Sequence, residues 1–278
     1  MADISLTSGI RSNLQSLQAT ATLLSRTQER LGTGKKVNSP IDNPTNYFTA
    51  EALKNRASDL TARLDGISKG VQTVKAADAG IKGIKSLISQ AKGIANDARA
   101  LSSDTADTQA VADRAALATR FDTIRTQINE MAADSGYDGV NLLGSDTLTV
   151  EFGEKIGSST IDLAGFDGSA TGLGIAAAAG SFAANTDVDA AIADLEAAEG
   201  DLRTESKKLS ANLGVLTARQ DFTKTMVNTL TTGADNLTNA DLNEEAANLL
   251  ALNTQQSLGV NSLSLASQAS QSVLQLLR

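Results

Sequence analysis

Apolar side chains recur in alternating steps of three and four residues at both ends of the chain. This spacing draws one apolar stripe along a helix and is typical of coiled coils. It predicts a helix over residues 3–31, roughly 43 Å long, and another over residues 241–278, roughly 55 Å long. Such helices are stable only when packed side by side. The two predicted seams are Ile10, Leu14, Leu17, Ala21, Leu24, Gln28 and Leu31, and Leu242, Ala246, Leu249, Asn253, Gln256, Val260, Leu263, Ser267, Ser270, Leu274 and Leu277.

Between the two ends the pattern changes twice. Both prolines of the protein fall in residues 35–46, which predicts a rigid connector because proline disfavours helix at and before its position. Helical spacing returns over much of residues 47–240. Ten of the 22 glycines lie between residues 136 and 180. Within the segment 134–186, residues 146–152 and 159–163 alternate apolar and polar side chains, which predicts two or three short strands.

The composition limits both the core and the chemistry. Aromatic residues make up 3% of the chain, so a thick core is excluded and slim, closely packed helices are favoured. The predicted fold is mainly α, an elongated antiparallel helical bundle or coiled coil with a small β-hairpin region in the middle of the chain. Histidine and cysteine are absent, which removes the usual general base, the commonest metal ligand, thiolate catalysis and structural zinc, and leaves carboxylate and lysine chemistry open. We expect no enzyme and no cofactor or metal site.

Other classes of partner are also disfavoured. The net charge of −8 argues against nucleic acid, whose phosphates bind lysine and arginine. No run approaches the roughly 18 apolar residues that cross a membrane. A stretch from Gly172 to Ala177 matches the G-x-G-x-x-A dinucleotide motif, but a turn-like sequence and not a strand precedes it. We therefore expect no nucleotide cofactor, no nucleic acid and no membrane partner.

The C-terminal helix has more apolar surface than one seam uses. Apolar side chains also stand outside its predicted seam, and a helix with apolar residues on more than one face needs more than one neighbour. We infer that other copies of the protein cover the ends. An intramolecular coiled coil with some exposed leucines is the alternative at this point. The off-seam residues are Leu250, Leu252, Leu258, Leu265 and Leu276.

Several short motifs, in order along the chain, carry a family resemblance. Residues 31–39 read LGTGKKVNS and are followed by IDN at 41–43; residues 136–143 read GYDGVNLL; residues 244–252 read EEAANLLAL. These motifs resemble the N-terminal signature, the entry to the β-region and the C-terminal helix of bacterial flagellins. The resemblance covers the helical parts nearly end to end.

The resemblance implies a domain plan and a function. The plan is an inner domain of residues 1–34 plus 241–278, a connector of residues 35–46, and a helical rod of residues 47–240 that includes the β-rich segment 134–186. Large outer domains of the family look absent. The implied function is self-assembly through the terminal helices into the flagellar filament for motility, after secretion through type III export without a cleaved signal. Implied partners are other copies, the export apparatus and chaperone, and cap and junction proteins. The alternative is a hook–filament junction protein, which binds the filament without forming it.

One implied partner reads a specific patch. Many flagellins are detected by Toll-like receptor 5 through the first long helix of the rod, where arginines and an acid make the polar contacts. The matching stretch here is residues 88–95, and Gln90, Lys92 and Gly93 stand where those polar residues would be. Neither lysine nor glutamine reproduces the planar bidentate contacts of arginine. We expect weak or absent recognition by this receptor.

Overall fold

The computed structural model of the chain describes residues 8–155 and 157–276. Within these residues, five helices and two strands follow one another as α1, α2, α3, β1, β2, α4 and α5, with a short 3-10 helix before α4. Most of the described residues are helical, and the two strands form one antiparallel hairpin, so the predicted fold class is confirmed. The bounds are α1 Ser8–Thr33, α2 Pro44–Ala100, α3 Thr108–Asp134, β1 Thr147–Glu151, β2 Thr160–Ala164, the 3-10 helix Ala179–Phe182, α4 Asn185–Thr238 and α5 Leu242–Leu276.

Local sequence explains where the helices begin. Pro44 is the first residue of α2, a position where its missing N–H is not needed. At the start of α3 the Asp107 carboxylate accepts a hydrogen bond from the N–H of Ala110. Asp241 precedes α5 and accepts the N–H groups of Asn243 and Glu244 at 2.9 and 3.3 Å, an arrangement related to the capping box.

The chain divides into two compact units, Met1–Asn55 with Thr229–Arg278, and Arg56–Asn228. The second unit holds the main core. The helical spacing predicted for this part of the chain is confirmed along α2 by an inner row of buried aliphatic side chains, and α3, the hairpin and α4 cover that row. Members of the row on α2 are Ile67, Val74, Ala77, Ile81, Ile84, Ile88, Ala91, Ala95 and Ala98.

The hairpin contributes one apolar face to this core. Its register pairs Leu148 with Leu163 and Val150 with Ile161, so these four side chains share a face. Leu163 and Val150 are buried. On the other face the Thr149 hydroxyl donates to the Asp162 carboxylate at 2.7 Å. The alternating patterns predicted for the two strands are therefore confirmed, with bounds shifted by about one residue.

The GYDGVNLL motif links the end of α3 to the hairpin. Its Asn141 side chain donates to the carbonyls of Ala132 and Ala133 at 2.8 and 3.0 Å, which satisfies the last turn of α3. The same side chain accepts the N–H of Leu143 at 3.0 Å. The tight turn before it needs a positive φ at Gly139, which is +80°. The motif thus fixes the direction in which the chain enters β1.

Two glycines allow α2 and α3 to approach closely. A Cβ at Gly80 would lie 2.0 Å from Oγ of Ser135, and one at Gly83 would lie 2.2 Å from Sδ of Met131. Neither distance is possible for real atoms. At Gly80 the added atom would also lie 2.7 Å from Cβ of Ser135, so the segments must move apart, whereas at Gly83 the flexible Met131 side chain has to move. Elsewhere on α2, a Cβ at Gly66 would meet nothing within 4 Å.

We predict that Gly80→Ala lowers the free energy of unfolding by up to about 2 kcal/mol. The overpacking cost of about 1–3 kcal/mol exceeds the helix-propensity gain of about 1 kcal/mol. The matched control Gly66→Ala has the gain without the clash and raises the free energy of unfolding by about 0.5–1 kcal/mol. Urea unfolding followed by circular dichroism measures both. Equal effects of the two substitutions would contradict the close packing.

Candidate assembly surface

The terminal helices α1 and α5 pack against each other in opposite directions. Arg30, near the end of α1, contacts Glu245 near the start of α5. Leu17, in the middle of α1, lies over Gly259 of α5. A Cβ added to Gly259 would be only 2.6 Å from the Cδ2 atom of Leu17. Residue numbers therefore rise along one helix as they fall along the other. The sequence predicted two such helices, and the structure brings them together within the first unit.

The contact face between α1 and α5 mixes apolar and polar side chains. On each helix the half-buried or buried positions follow steps of three and four, as in a coiled coil. Threonine, asparagine, glutamine and a glutamate occupy several of these positions, so this face is less apolar than an ordinary seam. The positions are Ile10, Asn13, Leu17, Thr20, Leu24, Thr27 and Leu31 on α1, and Glu245, Leu249, Leu252, Gln256, Gly259, Leu263 and Ala266 on α5.

The structure separates the predicted seam residues into two groups. Ile10, Leu17, Leu24, Leu31, Leu249 and Leu263 face the partner helix, whereas Leu14, Leu242 and Val260 are exposed. Ser270, Leu274, Leu276 and Leu277 lie outside the residues whose side chains the structure describes.

Three details of the predicted register need correction. Thr20 and Thr27 are buried where the pattern put Ala21 and Gln28, and Leu252 belongs to the contact face rather than outside it. On α1 the apolar spacing alone does not identify the buried positions, because a threonine can also be buried when its hydroxyl is hydrogen-bonded within the helix. The Thr20 hydroxyl donates to the carbonyl of Ser16 at 2.9 Å.

An ion pair closes one end of the helix pair. Nη1 of Arg30 donates to Oε1 of Glu245 at 2.8 Å, and the Glu245 side chain is 9% exposed. A carboxylate this buried is stable only with a charged or hydrogen-bonding partner. The contact therefore fixes the register of α1 against α5.

The connector after α1 pairs with the short link between α4 and α5. The N–H groups of Lys36 and Val37 donate to the carbonyl of Thr238 at 2.8 and 3.2 Å, and Ala240 N–H donates to the Gly34 carbonyl at 2.9 Å. Gly34 has a φ of +71°, which glycine adopts without strain. The two chain segments that flank the terminal helices are thus tied together by backbone hydrogen bonds.

Further along the connector, Asp42 organises a turn. Its Oδ2 atom accepts the N–H groups of Asn38 and Ser39, both at 3.0 Å. These backbone hydrogen bonds stabilise the ionised carboxyl and lower the pKa of Asp42 below its usual value. Since the folded pKa is depressed, the turn keeps this contribution above the ordinary pKa of aspartate and loses it only as the pH falls through the depressed value.

The opposite side of α5 is apolar and exposed. Leu250, Leu258 and Leu265 are 71%, 61% and 67% exposed. Leu258 and Leu265 each follow an inward-facing position by two residues, a rotation of about 200° around the helix. Helix α5 therefore presents one face to α1 and a second, leucine-bearing face away from it. We call Leu250, Leu258 and Leu265 the outer stripe of α5.

The stretch matched to the receptor patch lies on α2 in the second unit. Ile88, Ala91 and Ala95 belong to the core, while Gln90 and Gly93 are exposed. Lys92 is partly exposed and donates to Oε1 of Glu196 at 2.6 Å. The three polar positions are thus arranged around the outward side of α2, and the Lys92 ammonium is already engaged by an acid of the same chain.

Two further observations concern other chemistries. Among the described residues, no group of three or more acidic side chains is arranged to hold a metal ion. None of the helices in residues 8–155 and 157–276 is long and apolar enough to cross a bilayer.

Comparison with known proteins gives matches along most of the chain. Residues 5–147 match the family model described as bacterial flagellin N-terminal helical region, and residues 184–277 match the bacterial flagellin C-terminal helical region. Flagellin FljK of Caulobacter vibrioides is 32% identical over 282 residues, covering 99% of this chain and 98% of that protein. A flagellin of Brucella melitensis is 28% identical over 289 residues and covers 100% of both chains. The crystal structure of Bacillus cereus flagellin is 13% identical, with a TM-score of 0.46, and covers 56% of this chain and 86% of its own.

We predict that Glu245→Ala weakens the pairing of α1 and α5 by about 1–2 kcal/mol, because it removes the partner of Arg30. Hydrogen exchange of the α5 backbone amides measures the loss as faster exchange. The neighbouring substitution Glu244→Ala removes an exposed carboxylate of the first turn, which interacts only weakly with the helix N-terminus, and changes exchange much less. In the double variant Arg30→Met with Glu245→Met, an apolar contact replaces the ion pair and most of the protection returns. Equal exchange in Glu245→Ala and Glu244→Ala would show that the ion pair does not hold the register.

Proposed function

This chain belongs to the bacterial flagellin family and is a structural subunit of the extracellular flagellar filament; we propose that it assembles through the exposed faces of its two terminal helices. The middle of the chain between α3 and α4 spans only residues 135–184. The protein is therefore a short flagellin without the large outer domains of the family. Whole-length matches to flagellins leave the junction-protein alternative without support.

The proposal on domains follows the sequence pattern. Residues 1–34 and 241–278 form the inner domain of the assembled subunit, residues 35–46 connect it, and residues 47–240 form the rod. The ion pair of Arg30 with Glu245 and the backbone pairing of residues 34–37 with 238–240 support a boundary near these points, because both fasten the place where the terminal helices join the remainder.

The single observation that supports assembly best is the outer stripe of α5. Covering exposed leucines is favourable, because each Å² of apolar surface removed from water contributes about 25 cal/mol. Covering this stripe needs another chain, because α1 already occupies the opposite face. The exposed Leu14 and Leu23 of α1 extend the same argument to the second helix. In a filament, each copy covers the stripe of its neighbours.

The proposal gives the chain no catalytic role. Flagellins are structural proteins, and this sequence lacks histidine, the commonest general base, and cysteine, the thiolate nucleophile. By the same family argument, its partners are other copies of itself, the flagellar export apparatus with a chaperone, and the cap and junction proteins.

We predict that Leu258→Asp blocks polymerisation and leaves a helical, soluble monomer. In the filament, where the outer stripe is covered, the substitution buries a carboxylate in every subunit, at a cost of several kcal/mol per contact. Leu258 is preferable to Leu263 for this test, because Leu263 faces α1 and its substitution would also disturb the helix pair.

The matched control is Gln255→Asp, which adds the same charge less than one turn away on an exposed flank of α5. Electron microscopy after salt-induced polymerisation compares wild type, Leu258→Asp and Gln255→Asp. Long tubes are expected from the wild type and the control only. Normal filaments from Leu258→Asp would show that the outer stripe stays exposed in the assembly.

We also propose that Toll-like receptor 5 recognises this protein weakly or not at all. Gln90, Lys92 and Gly93 replace the polar residues of the family patch, and Lys92 is held by Glu196. Such interfaces usually depend on a few polar and aromatic anchors.

We predict that wild-type monomer gives little signal in receptor reporter cells. The triple variant Gln90→Arg, Lys92→Arg and Gly93→Glu should raise the signal about tenfold or more, since the bidentate contacts return. The matched control Ser86→Arg adds positive charge at an exposed position about one turn before the patch and should leave the signal unchanged. Half-maximal wild-type signalling at the concentration typical of detected flagellins would overturn the proposal.

A further inference from the structure

Two surfaces carry exposed apolar side chains that include aromatic rings, in a chain that has few aromatic residues. The protein contains only six phenylalanines and two tyrosines. Tyr47 and Phe48 lie beside the connector turn in the first unit, and their rings pack edge to face at 5.6 Å. Phe152 and Phe222 line a groove in the second unit. Half of the aromatic side chains therefore lie at these two places: Phe48 and Phe222 are 60% and 55% exposed, whereas Phe152 belongs to the core and forms the floor of the groove.

The first surface is a protruding knob. Ile41 is 93% exposed, the highest value among the exposed large apolar side chains of the described residues. It stands on a rigid turn, because Pro40 fixes one backbone angle and Asp42 N–H donates to the Ser39 carbonyl at 3.1 Å. The Asp42 carboxylate clamps the same turn from within. Ile41 is thus held in place before any partner arrives, which lowers the entropy cost of binding.

The second surface is a groove between α2, the hairpin and α4. Its volume is about 200 Å³, several times the roughly 30 Å³ that one water molecule takes in the liquid. Leu60, Phe152, Phe222 and Met226 give it an apolar lining, and Phe222 is 55% exposed. The groove has the size and chemistry for one aliphatic side chain.

Arginines form the rim of the groove. Arg56 contacts Glu154, and the Arg219 guanidinium lies 5.2 Å from the centre of the Phe152 ring. Within the part of the chain that the structure describes, no carboxylate forms an ion pair with Arg219. The rim therefore favours an occupant whose apolar tip is accompanied by negative charge. The turn that carries Ile41 provides this, since the ionised carboxylate of Asp42 is its neighbour.

We propose that Ile41 of one subunit inserts into the Leu60, Phe152, Phe222 and Met226 groove of another subunit. The inference rests on the proposed function, because it specifies one contact between copies in the filament. Knob and groove are different surfaces, so the contact is heterologous. A heterologous contact that does not close into a ring propagates as an open helix, as a filament requires, whereas two identical surfaces meeting would stop at a dimer.

Disulfide cross-linking tests the contact directly, because the native chain has no cysteine to give a background. A tagged Ile41→Cys chain and an untagged Phe222→Cys chain are polymerised together and then oxidised. The expected product is a dimer of one tagged and one untagged chain, formed in filaments and absent from the unpolymerised mixture. Each chain carries one cysteine, so every product joins two subunits, and disulfide geometry requires Cα atoms within about 7 Å.

The matched control pairs Ile41→Cys with Val111→Cys, an exposed apolar position of α3 outside the groove. It should give no dimer. Filaments in which the Phe222→Cys pair gives no dimer, or no more than the Val111→Cys pair, overturn the inference while the filament function stands. Dimers of two tagged or of two untagged chains also overturn it, because they show like surfaces meeting. Failure of wild-type chains to polymerise would instead refute the proposed mode of assembly.

A second measurement does not depend on cysteine. Ile41→Asp should raise the critical concentration for polymerisation by about tenfold, as expected for loss of a central contact residue. Ile41→Leu keeps an aliphatic side chain and should change it by less than about threefold, since volume-conserving apolar swaps are tolerated best. Arg219→Glu reverses the rim charge and should also raise it. An unchanged critical concentration in Ile41→Asp would overturn the inference.

Discussion

Close approach of helices along α2 is the constraint on which the second unit depends. A protein with so few aromatic residues fills its interior with isoleucine, leucine and alanine, and these fill space only when backbones lie near one another. Gly80 has no side chain to hold the end of α3 away, and Gly83 leaves room for the Met131 side chain. The hairpin then covers the same core through Val150 and Leu163. Helix spacing and hairpin position both follow from that packing.

The first unit is organised on a different principle. Its two helices meet through a face that includes threonine, glutamine and a buried ion pair, while leucines point outward. A monomeric protein would be expected to reverse this arrangement, because apolar burial is the main favourable term in folding. The distribution is sensible for a subunit whose neighbours complete the apolar contacts. Polar groups inside the pair set its register, and the apolar groups outside it are left for association.

Much of this can be predicted from spacing alone, and the failures have identifiable causes. Helix periodicity and the alternation of strand residues predict the fold class, because both report which side of an element is buried. The face of α5 that contacts α1 is harder to predict, since leucines on two sides of the helix leave the choice of contact face open. The spacing therefore places Leu252 outside the contact and Val260 within it. Arg114 escapes the pattern because a charged residue is expected in water, yet it is buried and donates to the Asn185 side chain at 2.6 Å. The one sequence indication of its burial is its position three residues before Leu117, which continues the apolar spacing of α3.

The backbone pairing of residues 34–37 with 238–240 has a consequence for the order of folding. These segments are about 200 residues apart in sequence, and closing so long a loop is slow because its entropy cost precedes any stabilising contact. Local helices and the hairpin of the second unit need no such closure and form first. Helix α1 acquires its partner α5 only when this long loop has closed. The pair of terminal helices is therefore expected to be among the last parts of the molecule to become stable.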